Sequence, residues 1–371
     1  MPLFRPVLTR LREETMLIIL LLVLGPLLWF APIRSSAIGT LVDWKTIGAL
    51  AGLMVLSRGL EDSGYLSRAG HWLMNHMHSE RWLAVTLVMF SAALSAVITN
   101  DVALFIVVPL TLSLRRLGDL PVGRLIIFEA LAVNAGSTLS PIGNPQNLYL
   151  WQQSGTSFFE FTQTMLPLSA GLTALLLLAI PLGFSHKRLT VTTPTDRSAL
   201  HKPLLWCSLA CYPLFLALTD LGYAGAGAIA VTLFYLIAFR HVLLGVDWLL
   251  LGVFILMFID LGLLASLPVL AEPVSDLLRL PGGLFTAGIL TSQFMSNVPA
   301  TIFLTPFSDD WQRLAWGVNV GGFGLAIGSM ANLIALRLAR QPGLGYAFHL
   351  WSIPMLVVSA LIAVPLITLL P

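Results

Sequence analysis

Asn134-Ala-Gly-Ser-Thr-Leu-Ser-Pro-Ile-Gly-Asn-Pro-Gln-Asn-Leu148 stands between two apolar helical segments, Leu125-Ile-Ile-Phe-Glu-Ala-Leu-Ala-Val133 and Tyr149-Leu-Trp151. Proline removes a backbone donor and crowds the preceding turn, and glycine loosens what remains, so the helix breaks here. In a bilayer, unwound backbone is tolerated only where it is buried in protein or lines a cavity. Such an interruption in a hydrophobic span is the sequence mark of a transporter binding site.

The stretch recurs as Asn319-Val-Gly-Gly-Phe-Gly-Leu-Ala-Ile-Gly-Ser-Met-Ala-Asn-Leu333, with six identities in fifteen and no gap. Other pairs follow in the same order. Thr99-Asn100 with Pro109 matches Ser296-Asn297 with Pro306, and Asp43-Trp44 with Gly48 matches Asp247-Trp248 with Gly252. The chain is a duplicated unit.

Composition places the unit in a membrane. Hydrophobic residues make up 57% and charged residues 10% of the 371 positions, where soluble domains carry about 25% charged residues. The expected fold is an all-α polytopic membrane protein. Met1–Glu14 is short and basic and Met16–Pro32 is long enough to span, so no cleaved leader is expected. Cys207 and Cys211 lie four apart on one apolar helix, a spacing that suits packing rather than a disulfide. No phosphate-binding Gly-rich loop ending in Lys-Ser/Thr is present, so nothing points to ATP hydrolysis.

Nine full spans are expected at 15–33, 45–60, 125–150, 166–184, 203–220, 224–239, 247–267, 314–336 and 346–370. Two further apolar stretches are divided by polar tips, 82–114 at Thr99-Asn100-Asp101 and 283–308 at Ser296-Asn297. Their arms rise only about 15–25 Å, too little for a core of about 30 Å, and read as re-entrant hairpins. With a cytoplasmic N-terminus, sixteen Lys and Arg fall inside, and only Arg34, Lys45, Arg279 and Arg313 fall outside. That count puts the C-terminus on the periplasmic side and the two hairpin mouths on opposite faces. The domains are then 1–184 and 203–371, two inverted repeats with broken helices 125–150 and 314–336 near the midplane, joined by a cytoplasmic linker at 185–202.

Polar atoms in hydrocarbon need partners. Asn100, Asn297, Asn134, Asn144, Asn147, Asn319 and Asn332, with Ser137 and Ser329, stand at the symmetric breaks and mark a substrate or ion site rather than helix–helix glue. Pro141, Pro145 and Pro299 fix the breaks. Freed carbonyls hold a small cation, and half-helix N-termini hold an anion or polar solute. Asp101, at the first tip, either binds a proton or Na⁺ or caps the arm that follows. Its counterpart Val298 is uncharged, so the halves differ in chemistry. Asp260 is a second intramembrane carboxylate, either a proton site or a structural acceptor. Glu129 is expected at the interface. Glu61, Asp62, His71, His76 and His78 fall in a cytoplasmic loop, read as a solvated amphipathic segment rather than a metal site. An enzyme would need a convergent acid, base or metal set, which the pattern does not supply.

At Thr99-Asn100-Asp101-Val102-Ala103, Gly143-Asn144-Pro145-Gln146-Asn147-Leu148 and Ser296-Asn297-Val298-Pro299-Ala300, the sequence resembles the ion transporter superfamily of arsenite permeases, citrate and divalent-anion symporters and sodium/proton antiporters. The resemblance implies a homodimer in the bacterial inner membrane with a fixed scaffold and a moving transport domain, an elevator. It implies Na⁺ or H⁺ as coupling ion, no other cofactor, and a small anion or oxyacid as solute, or cation exchange alone in the antiporter branch. Carried over by position, Thr99, Asn100, Ser296 and Asn297 become tip ligands, and Gly143, Asn144, Gly328 and Ser329 lie at the facing breaks. Asp101 and Val298 replace the threonines of the dicarboxylate branch, which points toward the arsenite-permease and antiporter side. Two spans precede the first hairpin against three before the second.

Overall fold

The computed structural model describes residues 15–30, 35–75, 77, 79–114, 120–188 and 200–368. Arg5, Arg10, Arg12, Arg34, Arg115, Arg116, Arg197, His76 and His78, and most of the 185–202 linker, lie outside the described residues. Among the described residues every regular element is helical. In chain order the α-helices are α1 Thr15–Phe30, α2 Trp44–Asp62, α3 Tyr65–Asn75, α4 Glu80–Val97, α5 Asn100–Ser113, α6 Val122–Ser137, α7 Pro145–Ser154, α8 Phe158–Gly183 and α9 Lys202–Asp220. They continue with α10 Ala224–Ala238, α11 Arg240–Gly245, α12 Trp248–Ala265, α13 Ala271–Leu278, α14 Leu284–Met295, α15 Asn297–Leu304, α16 Trp311–Gly321, α17 Met330–Ala339 and α18 Leu344–Ile367.

The breaks fall where proline and glycine put them. α6 ends at Ser137, and α7 restarts with Pro145 in its first turn, capped by Asn144, whose side-chain oxygen accepts from Asn147 N at 2.9 Å. α16 ends at Gly321, and α17 restarts after Ser329, whose hydroxyl accepts from Ala331 N at 3.3 Å. The tips are tighter: Ile98-Thr99 joins α4 to α5, and Ser296 alone joins α14 to α15.

The duplication is visible in local geometry. Asp43 caps α2 by accepting from Thr46 N at 3.0 Å, and Asp247 caps α12 by accepting from Leu250 N at 3.3 Å. The following indoles match too: Trp44 donates to Gly39 O at 3.2 Å and Trp248 to Leu243 O at 2.9 Å. Packing repeats as well. α4 lies along α6 as α14 lies along α16, and α1 on α12 corresponds to α10 on α2. The closeness of the hairpin to the broken helix requires glycine. A Cβ on Gly136 would stand 2.0 Å from Ala92 O, inside the backbone of α4.

Among the described residues five helices are long and apolar enough to cross a membrane: α4, α8, α9, α12 and α18. The other expected spans are shorter helices, helices split at the breaks, or, for α2, one that ends in Arg58, Glu61 and Asp62. The first arm of the first hairpin, α4, has 18 residues, a rise of about 27 Å, slightly longer than the sequence suggests and near the lower limit of about 17–25 residues for a span. α8 begins at Phe158 rather than 166, because Ser157 caps it by accepting from Glu160 N at 3.2 Å.

Candidate functional site

At the breaks the asparagines face one another across the repeats. Asn134 donates through Nδ2 to Asn332 Oδ1 at 2.8 Å, and Asn319 donates through Nδ2 to Asn147 Oδ1 at 2.7 Å. The caps join in the same sense: Ser329 Oγ donates to Asn134 Oδ1 at 2.9 Å, and Asn144 Nδ2 donates to Asn319 Oδ1 at 3.1 Å. Each first arm is thus locked to the second arm of the other repeat. The loose backbone is held as well. Asn147 Nδ2 reaches the carbonyls of Ser137, Thr138 and Ser140 at 3.1–3.3 Å, and Asn332 Nδ2 reaches Gly322 O at 2.9 Å. Asn144 also donates to Ser137 O, and Ser137 Oγ turns back to Asn134 O. These groups are almost wholly buried, where an unpaired polar atom costs about 1–3 kcal/mol.

The tips meet the breaks from the other side. Asn100 N donates to Gly143 O at 2.8 Å, tying the first tip to the first break. Within each tip the asparagine oxygen accepts the next amide, Asp101 N to Asn100 at 2.9 Å and Val298 N to Asn297 at 3.0 Å. Thr99 has ordinary extended backbone, whereas Ser296 sits at φ 75, ψ 158, a region that favours glycine.

Between tips and breaks lies a small cavity of about 30 Å³. Asn100, Pro145, Asn297 and Met330 all line it, and these are the first residues of α5, α7, α15 and α17. Four half-helix N-termini, each carrying about half a positive charge, therefore converge on one point. Among the described residues Asp101 is the only charged one on the lining; Leu250, Val253, Phe254 and Met257 of α12 and Met16 of α1 close the far wall. The Asp101 carboxylate has no hydrogen bond or ion pair among the described residues, and α5 has no side-chain cap bond. The capping alternative is therefore not realised in this geometry.

Not every sequence candidate enters the cavity. Asn100, Asp101, Pro145, Asn297 and Val298 line it, while Asn134, Ser137, Asn144, Asn147, Asn319, Ser329 and Asn332 form the lock behind it. Gly143 and Gly328 belong to tight turns, where a Cβ would stand 2.4 Å from Ser137 O and 2.7 Å from Gly321 O. Thr99 and Ser296 are the tip residues, and Pro299 is in the first turn of α15. Asp260 is only 2% exposed on α12, and neither carboxylate oxygen has a hydrogen-bond partner among the described residues. Glu129, expected at the interface, is fully buried in the protein: one oxygen accepts from Thr111 of α5 and the other has no hydrogen-bond partner among the described residues, and its helix α6 packs on α4, α5 and α17. The sequence reading missed Gln293, which donates to Gly321 O and accepts from Leu325 N, holding the second break from α14. A glutamine three residues before a tip in an apolar arm was the available signal. It also missed the methionines Met16, Met257 and Met330 on the cavity wall, which hydropathy cannot tell from core.

Residues 7–316 match the sequence family described as Citrate transporter, CitMHS. The chain belongs to the citrate transporter family. Among its relatives, inner membrane protein YbiR of Escherichia coli K12 is 44% identical over 99% of both chains. The uncharacterized transporter MJ0456 of Methanocaldococcus jannaschii is 31% identical over 89% of this chain and 91% of its own. A putative transporter arsB of Dictyostelium discoideum is 28% identical over a shorter stretch, 36% of this chain and 24% of its own. In fold, the chain is similar to the YdaH transporter of Alcanivorax borkumensis, at TM-score 0.51 and 16% identity over 92% of this chain and 86% of that one. This member of the citrate transporter family is accordingly a multi-pass membrane transporter.

Proposed function

We propose that the protein is an ion-coupled secondary transporter of a small anion or oxyacid, bound in the cavity between the two hairpin tips. The convergence of four half-helix N-termini on that cavity carries the reading. Such ends stabilise negative charge or the oxygens of a polar solute, and no Lys, Arg or His among the described residues lines the cavity to hold a multiply charged anion. Asp101 opposes a polyanion further and supplies the group that takes up H⁺ or Na⁺ with the solute. The asparagine lock holds α6–α7 and α16–α17 together, so both breaks move with the hairpins as one transport body against a scaffold that includes α2 and α12. The inverted repeats 1–184 and 203–371, the cytoplasmic N-terminus, the periplasmic C-terminus and the homodimer belong to the same reading. Its support is the Lys/Arg distribution and the resemblance.

The test is uptake into liposomes holding purified protein, with radiolabelled arsenite, acetate and citrate offered separately under an imposed pH or Na⁺ gradient. Gradient-driven uptake of a small oxyacid or monoanion is expected, and uptake of none of the three contradicts the solute reading. A second reading, sodium/proton exchange, is favoured by two carboxylates, Asp101 and Asp260, whose oxygens have no hydrogen bond among the described residues. It requires proton flux on adding Na⁺ with no solute present.

A further inference from the structure

Two clefts flank the cavity, one at the Asp43 end of α2 and one at its other end, toward Asp247, and four of their lining positions are equivalent in the two repeats. Ile302 and Pro306 with Ala265 and Ser266 line the first; Phe105 and Pro109 with Glu61 and Asp62 line the second. The structure is nevertheless asymmetric between them. At the Asp43 end, α7 packs on α2 and α15 on α12. At the other end, α5 packs on α2 less extensively, and the equivalent α17–α12 contact is marginal at most. The tip cavity sits against Leu250–Met257, the Asp247 half of α12. The equivalent positions on α2, Thr46 to Leu53, do not line it, and the Thr46 hydroxyl is buried without a partner.

One bond accompanies this asymmetry. Asp43 uses Oδ1 to cap α2, and its Oδ2 accepts from Gln153 in the last turn of α7, a link from scaffold to transport body. Asp247 caps α12 in the same way, but its second oxygen accepts no hydrogen bond among the described residues. The last turn of α17, which corresponds to that of α7, carries Arg337 at the position of Gln152 and Leu338 at that of Gln153. Arg337 is exposed and unpaired among the described residues.

We propose that Asp247 and Arg337 form the reciprocal latch of the opposite state, closing the Asp247 end when the Asp43–Gln153 link opens. This rests on the alternating-access reading above. Because the repeats are equivalent in packing, exchanging their conformations moves α17 onto α12 as α7 now lies on α2. The last turn of α17 then meets the free oxygen of Asp247. The two latches differ in chemistry: an amide–carboxylate bond at one end and a guanidinium–carboxylate pair at the other. The charged latch holds its state more tightly, and screening by salt weakens it selectively.

The experiment is disulfide trapping in liposomes, without added solute, in a Cys207→Ala/Cys211→Ala background. The pairs are Asp43→Cys/Gln153→Cys and Asp247→Cys/Arg337→Cys, with Asp43→Cys/Arg337→Cys as control. The first pair is expected to cross-link at once, the second more slowly but to completion as the opposite state is visited, and the control not at all. Failure of the second pair in protein whose first pair cross-links overturns the latch. As a variant that leaves the α12 cap intact, Arg337→Gln is expected to raise maleimide labelling of Ser113→Cys in the Asp247-end cleft at least twofold. Unchanged labelling overturns the latch too. The transport reading fails separately: trapping at both ends with no flux of any solute or ion would keep the latch and remove the function.

Discussion

The side-chain amide of Asn319 donates to Asn147 Oδ1 at 2.7 Å, 172 residues away in sequence and across the two repeats. The same Asn319 oxygen accepts from Asn144 Nδ2 at 3.1 Å and from Thr138 Oγ1 at 3.2 Å. Removing it takes away the partner of Asn147 Oδ1 and of Gln146 Nε2, both buried, while Asn144 and Thr138 keep bonds to Ser137 and to Asn134 O. Asn319→Ala is expected to destabilise the protein by about 2–4 kcal/mol, since each orphaned group costs about 1–3 kcal/mol. Thermal melting of purified protein without solute checks this. A solute ligand with no structural part would leave that melting curve unchanged.

Gly136 packs against the backbone of α4, where no side chain can give way. Gly136→Ala is expected to separate the first hairpin from α6 and to abolish folded protein, read as loss of the monodisperse peak in detergent. Gly225 is the control, since a Cβ added there would meet nothing within 4 Å; Gly225→Ala should express as wild type.

Ser296 holds a conformation that costs a non-glycine residue about 1–3 kcal/mol. Ser296→Gly is expected to raise the melting temperature, because the relieved strain exceeds the entropy glycine adds, about 0.5–1 kcal/mol. A fall in melting temperature would mean that the Ser296 hydroxyl contributes more than its backbone strain removes.

The breaks and tips were legible in the sequence because proline, glycine and asparagine have strong local effects that tertiary packing cannot easily override. Pro145 starts α7, and Gly143 sits where no Cβ fits. The division of labour among the asparagines was not legible. Asn100 and Asn134 read alike in sequence, yet one lines the cavity and the other locks two repeats together. That distinction depends on which atoms meet across nearly 200 residues. The burial of Glu129 was not legible for a related reason. Counting turns from a span end gives depth along a helix but not packing on α4, α5 and α17. The length of α4 was underestimated because Glu80, capped into the helix by Ser79, reads as loop.

Asp260 offers a contrast with Asp101. Both are carboxylates without hydrogen-bond partners among the described residues, but Asp260 is on α12, outside the cavity lining. Asp260→Asn is expected to keep solute-driven flux within about threefold of wild type, about 0.7 kcal/mol in barrier. A complete loss in folded protein would place a coupling site on the scaffold.

Coupling of solute to an ion through Asp101 in the tip cavity is measured with Asp101→Asn in liposomes loaded with a pH-sensitive dye. Arsenite, acetate or citrate is added with and without Na⁺, beside wild type. The account predicts solute-dependent proton or Na⁺ movement in wild type, and its loss in a mutant that melts as wild type does. Coupled flux in the mutant equal to wild type would contradict it.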